Sequence, residues 1–189
     1  GVQTCALPIF VPDQFTLADV TNAALNSTYT TTITPVGYDG YAAWSIDSGF
    51  ANTTGNTTLG TSGIIGPGQS LRLRRTSSSN FNTTVDTVLS INGISDTWSI
   101  TTRLAGTSPN PFTFTSVTSG ERSTTYSAST IPTGYDFSSW TVTGIGTGSA
   151  QGSNNGTTWT TSGTIYSGET FYIRANSGAS FGNTVIATA

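Results

Sequence analysis

Short runs of alternating apolar and polar residues recur along this chain, separated by clusters of Gly, Asn, Ser and Thr, and that pattern predicts strands. In the first half the runs fall near residues 14–17, 28–34, 42–46, 71–75, 85–91 and 97–101. Leu71-Arg72-Leu73-Arg74 shows the period of two plainly, with leucines on one face and arginines on the other. Asn92-Gly93, between Ile91 and Ile94, reads as a two-residue hairpin turn. It joins the last two strands, and the alternation puts Trp98 and Ile100 on a common face of the final one, which is expected to be an edge strand. No stretch has the period of an amphipathic helix.

The pattern then repeats. Phe15-Thr16-Leu17 returns as Phe112-Thr113-Phe114, Pro35 as Pro132, and Gly37-Tyr38-Asp39 as Gly134-Tyr135-Asp136, all at an offset of 97. After a slip the offset becomes 100, carrying Ser62-Gly63, Ile65, Gly68, Arg74 and Phe81 onto Ser162-Gly163, Ile165, Gly168, Arg174 and Phe181. The predicted organisation is a terminal segment over residues 1–11, one all-β domain over 12–103, a Pro-containing linker over 104–111 and a second all-β domain over 112–189. Short strands with frequent turn signals favour two tandem immunoglobulin-like β-sandwiches over a barrel or a propeller, the second lacking its last strand. Trp44 and Trp140, just after the Gly-Tyr-Asp turns, read as packing residues before they read as a ligand platform.

The Phe-Thr start, the Leu-Arg-Leu-Arg strand followed by a Ser/Thr run, and Leu89-Ser90-Ile91-Asn92-Gly93-Ile94-Ser95-Asp96-Thr97-Trp98 resemble the tandem immunoglobulin-like repeats of secreted bacterial surface and fibre proteins. That resemblance implies a stalk, adhesin or filament subunit and transfers no catalytic residue. Residues 1–9 also resemble the translation of a sequencing adapter, so Cys5 is given no functional weight.

Composition narrows the chemistry. Only 8% of residues are charged, the formal net charge is −3, and His and Met are absent. Lys is absent too, while Ser and Thr supply about a third of the chain. Without His there is no Ser-His-Asp machinery and no imidazole ligand. Lacking Lys, the chain forms no Schiff base and no lysine isopeptide crosslink. Carboxylate pairs on paper are Asp39 with Asp47 and Asp136 with Glu169, but acids placed in turns read first as turn formers, so no enzyme activity is expected. No cofactor is expected; Ca2+ held by Asp and backbone oxygens is the one ion considered. Nothing in the charge pattern suits nucleic acid or membrane insertion. Asn26, Asn52, Asn56, Asn82 and Asn155 fit the N-glycan acceptor pattern, and glycans are the other partner class considered.

The two ends of the chain suggest a function. At offset 97, residues 1–11 stand where 98–108 stand, which includes the last strand of the first domain. One reading is an extracellular subunit that polymerises with its own kind: the N-terminal segment, with Val2, Thr4, Ala6, Ile9 and Val11 as donor residues, leaves its own domain and pairs with an acceptor edge at Val185, Ala187 and Ala189 of the next molecule. The alternatives are a cell-surface or phage-fibre module that binds glycan through its loops, and a piece of a long repeat array.

Overall fold

The computed structural model describes residues 9–145, 149–180 and 186–188, and every regular element among them is a strand, so the chain is all-β. It divides into two compact units, Gly1–Leu104 and Ala105–Ala189, the division falling within the segment read as a linker.

Unit 1 contains β1 (Val20–Ala23), β2 (Thr28–Ile33), β3 (Ala42–Ile46), β4 (Phe50–Thr53), β5 (Ser62–Ile65), β6 (Leu71–Thr76), β7 (Thr84–Ile91) and β8 (Ile94–Thr102). One sheet has the order β1-β8-β7-β3-β5 and the other β2-β6-β4. Their inner faces meet over Trp44, Leu71, Leu73, Leu89, Ile91, Trp98 and Ile100, all buried in one cluster. Each such side chain contributes about 1.5–3 kcal/mol by leaving water, so this small set dominates the cohesion of the unit. The β7–β8 hairpin turns at Asn92 and Gly93, whose φ values of 44° and 91° are those a two-residue hairpin demands. Trp98 and Ile100 share the buried face, as the alternation requires.

Two sequence expectations fail in this unit for one reason. Residues 14–17 are not a strand, although Phe15 and Leu17 are buried. The Leu17 N–H donates to the Asp96 carboxylate at 2.6 Å, and the Ser99 N–H donates to the Asp19 carboxylate at 2.7 Å. Side-chain oxygens thus take the places that carbonyls occupy in a ladder, and ladder pairing begins only at β1. β1 runs parallel to β8, with Val20 opposite Ile100 and Ala23 opposite Thr102. The final strand of unit 1 is therefore flanked on both sides and is not an edge. Sequence reading also missed β4 and β5, which are short and carry glycine or small polar residues in place of a clean alternation.

Unit 2 contains β9 (Thr125–Thr130), β10 (Phe137–Thr141), β11 (Thr143–Ile145), β12 (Gln151–Ser153), β13 (Ser162–Tyr166), β14 (Phe171–Asn176) and β15 (Ile186–Thr188). Its pairings repeat those of unit 1. Trp44 faces Gly63 as Trp140 faces Gly163, Thr28 faces Thr76 as Thr125 faces Asn176, and Ala51 faces Leu73 as Gly152 faces Ile173. In unit 1, β3 pairs with β7 through Trp44–Ile91, Ser45–Ser90 and Ile46–Leu89. The β11–β15 pairs Thr143–Thr188, Gly144–Ala187 and Ile145–Ile186 continue that register, so β15 stands in the place of β7. The described core of unit 2 is smaller, with Tyr135, Val142, Ala150, Ile165, Phe171 and Ile173 buried.

Candidate functional site

The features that recur in both units lie where chain enters a unit and where a strand crosses a tryptophan. Asp39 follows Gly37-Tyr38, and the positive φ of Gly37, 85°, turns the chain back on itself. The Asp39 and Gly40 N–H groups donate to the Ile9 carbonyl at 3.0 and 3.1 Å, and the Ile9 N–H donates to the Asp39 carboxylate. In unit 2 the Asp136 and Phe137 N–H groups donate to the Gly106 carbonyl at 2.8 and 3.4 Å, and the Gly106 N–H donates to the Asp136 carboxylate at 2.7 Å. Ile9 and Gly106 are themselves 97 residues apart. A second rung follows, Asp13 N–H to the Val36 carbonyl and Asn110 N–H to the Thr133 carbonyl, both at 2.8 Å. Each unit thus grips the incoming chain by the same backbone clasp.

Side chains at the clasp trade size between the copies. The Phe10 ring lies over Gly40, where a Cβ would come within 2.4 Å of it. At the equivalent positions stand Thr107 and Phe137, a small residue and a large one exchanged. The pairing explains both glycine and aromatic, and identifies Phe10 as part of the folded unit. Asn92 adds a tie in unit 1: its Oδ1 accepts the Ala43 N–H at 2.9 Å and its Nδ2 donates to the Phe10 carbonyl at 2.8 Å.

The expectation that residues somewhere between Val2 and Val11 lie extended and detached from their own domain is not met at Ile9 and Phe10, which are bonded to unit 1. The side chains of Ile9 and Val11 are exposed. The donor candidates Val2, Thr4 and Ala6, and the acceptor candidates Val185 and Ala189, lie outside the described residues. Ala187 is central in β15, paired to β11 on one edge only among the described residues.

The carboxylates weighed as catalytic pairs are each engaged with backbone. Asp47 accepts the Val88 N–H at 2.9 Å, a bond that holds its carboxyl below the usual range, helped by Ser48 and Arg75 and opposed by partial burial. Glu169 accepts the Tyr166 N–H at 2.9 Å. Tyr38 donates to the Gly66 carbonyl at 2.9 Å and Tyr135 to the Tyr166 carbonyl at 3.2 Å; burial raises both phenols, and Glu169 adds to the rise at Tyr135. Among the described residues no three acidic or thiol groups gather as a metal site.

The glycan acceptor candidates differ in setting. Asn26, Asn56, Asn82 and Asn155 are exposed, and Asn26 and Asn82 sit in turns at φ 49° and 47°. Asn52 is half-buried on β4, with its Nδ2 donating to the Asn56 carbonyl. The Asn155 Oδ1 caps the Thr157 and Thr158 N–H groups at 2.9 and 2.8 Å.

The clasp escaped sequence reading although a signal was present: Asp39 and Asp136 share the offset of Ile9 and Gly106, but neither Ile9 nor Gly106 attracts notice alone. The sequence matches no protein-family model, and no curated protein is significantly similar to it.

Proposed function

We propose that this chain is a structural segment of an extracellular fibre, a series of immunoglobulin-like sandwiches in which the second unit is closed by a strand from another copy. The single observation that carries the reading is the recurrence of the same clasp at Ile9–Asp39 and Gly106–Asp136. In unit 2 the clasp residue follows a strand of another unit: Arg103, Leu104 and Ala105 alone separate β8 from Gly106. At the same offset, residues 1–5 correspond in sequence to Trp98–Thr102 at the end of β8. Sheet orders support the sandwich type, because β2-β6-β4 matches the B-E-D sheet of such folds, and β8-β7-β3 matches G-F-C.

In this reading the edge of β15 left unpaired among the described residues receives a strand from a second copy, which makes a head-to-tail polymer. The register sets what that strand must carry. Trp98, Ile100 and Thr102 point into unit 1, and their equivalents are positions 1, 3 and 5. Val2, Thr4 and Ala6 align with Ser99, Thr101 and Arg103 at the same offset. Negative-stain imaging and light scattering of the full chain test the reading, with and without a peptide of the β8 sequence. Fibres that the peptide blocks support strand donation. A monomer whose unit 2 melts at a higher temperature with the peptide points instead to a continuous repeat array, and a chain indifferent to the peptide refutes strand closure.

A further inference from the structure

Four of the six arginines lie on β6 and its equivalent β14, in a chain where only 8% of residues are charged. Arg72 and Arg74 are exposed on the outward face of the β2-β6-β4 sheet, and neither makes an ion pair among the described residues. β6 is the central strand, so Arg74 stands between Thr30 and Phe50 in one rung across the sheet. Phe50 is 53% exposed beside it. Unit 2 repeats the rung as Ser127, Arg174 and Gln151. There the guanidinium stacks 4.3 Å over the Trp159 ring, and its Nε and Nη2 both donate to the Gln151 Oε1 at 3.0 and 2.6 Å. None of the six strands that build these two faces carries Asp or Glu.

We propose that this face in each unit binds an acidic polysaccharide. The inference goes beyond the structural reading and does not depend on it. A guanidinium presents a planar fork to a carboxylate or sulfate, and one held by stacking and by Gln151 loses little freedom on binding. The flanking Thr, Ser and Gln side chains supply the hydroxyl and amide partners that a polyhydroxyl chain needs, and the aromatic rings offer an apolar surface to a sugar ring. Arginines on strands that carry no acid complement an anionic polymer in charge. Each unit carries such a face, so one chain offers two sites.

Titration calorimetry of the full chain with dextran sulfate and with polygalacturonate, against neutral dextran, tests the proposal. Both acidic polymers bind and neutral dextran does not, and affinity falls by about tenfold or more between about 50 and about 300 mM NaCl. The variant Arg72→Ser/Arg74→Ser/Arg174→Ser keeps its far-ultraviolet dichroism and weakens binding by more than about tenfold, whereas Arg122→Ser, which removes a charge elsewhere, changes it by less than about twofold. Arg74→Lys/Arg174→Lys loses part of the affinity while the charge is kept. Wild-type binding by the triple variant, equal binding of neutral dextran, or an equal loss on Arg122→Ser overturns the proposal. So does a triple variant that stops self-associating while polysaccharide binding is untouched, which would make the face a contact between copies.

Discussion

Trp44 lies directly across the β3–β5 ladder from Gly63, and its indole occupies the space a side chain there would need: a Cβ on Gly63 would come within 2.9 Å of the ring. Trp140 and Gly163 repeat the relationship, with the Cβ at 2.7 Å. A large ring is thus laid flat along a sheet because its cross-strand neighbour has no side chain. Gly63→Ala and Gly163→Ala set two effects against each other. Stiffening the unfolded chain stabilises by up to about 1 kcal/mol. Displacing the indole costs about 1–3 kcal/mol. The second wins, so each substitution lowers the melting temperature of its own unit in a calorimetric scan and leaves the other unit's transition in place.

The two tryptophans differ in their N–H groups. Trp140 Nε1 donates to the Asn154 Oδ1 at 3.1 Å, while the buried Trp44 Nε1 has no partner among the described residues. Asn154→Ala therefore destabilises unit 2 by about 1–3 kcal/mol, since it strands a partly buried donor and also frees the Thr164 carbonyl that Asn154 caps. Chemical denaturation followed by tryptophan fluorescence reads the shift.

The clasp predicts a local effect. Asp136→Ala removes the acceptor of the Gly106 N–H and costs about 1 kcal/mol. Amide exchange accelerates at Gly106, with the β9–β14 ladder still protected. Unchanged exchange at Gly106 would mean that the bond adds nothing to the hold on the linker.

Acid stability follows from Asp47. Its carboxyl titrates below the ordinary value in the folded chain. Its contribution is therefore complete above the unfolded value of about 3.9 and fades as pH falls through the lower, folded one. With no histidine in the sequence, melting temperature stays flat between about pH 5 and 8 and declines only below about pH 4. Asp47→Asn shrinks that acid decline. A steep step within the neutral window would contradict the account.

Alkaline stability has the opposite sign. Burial raises the Tyr38 and Tyr135 phenols, so each contributes stability that is whole below about pH 10 and is lost as pH climbs through the folded value. Tyr38→Phe costs about 1 kcal/mol at neutral pH, through the lost bond to Gly66, and lessens the alkaline decline of unit 1. Ultraviolet titration of phenolate formation against melting separates the two contributions.

Alternation and the Asn-Gly turn made β2, β3, β6, β7 and the Trp98–Ile100 face legible in the sequence, because period two and a left-handed turn leave compositional marks. The place of β1 was not legible. Asp19 and Asp96 substitute for carbonyls along β8, and a carboxylate that mimics a ladder looks like any surface acid. Much of the joint was hidden for a related reason. Backbone groups of Ile9 and Gly106 form the clasp, and side-chain identity hardly constrains them. The one readable trace, Phe10 with Gly40 exchanged for Thr107 with Phe137, appears only when four positions are compared together.

The parallel alignment of β1 with β8 has a mechanical meaning. Tension applied before β1 and after β8 draws the two strands in opposite directions along a shared axis. The Val20–Ile100 and Ala23–Thr102 pairing, the Arg103 N–H to Ala23 carbonyl bond at 2.9 Å, and the Asp19 and Asp96 contacts are then strained together in shear. An antiparallel pair pulled from one end would part bond by bond, like a zipper. Here the load is shared at once, so unit 1 resists stretching at the strand pair through which its chain ends pass.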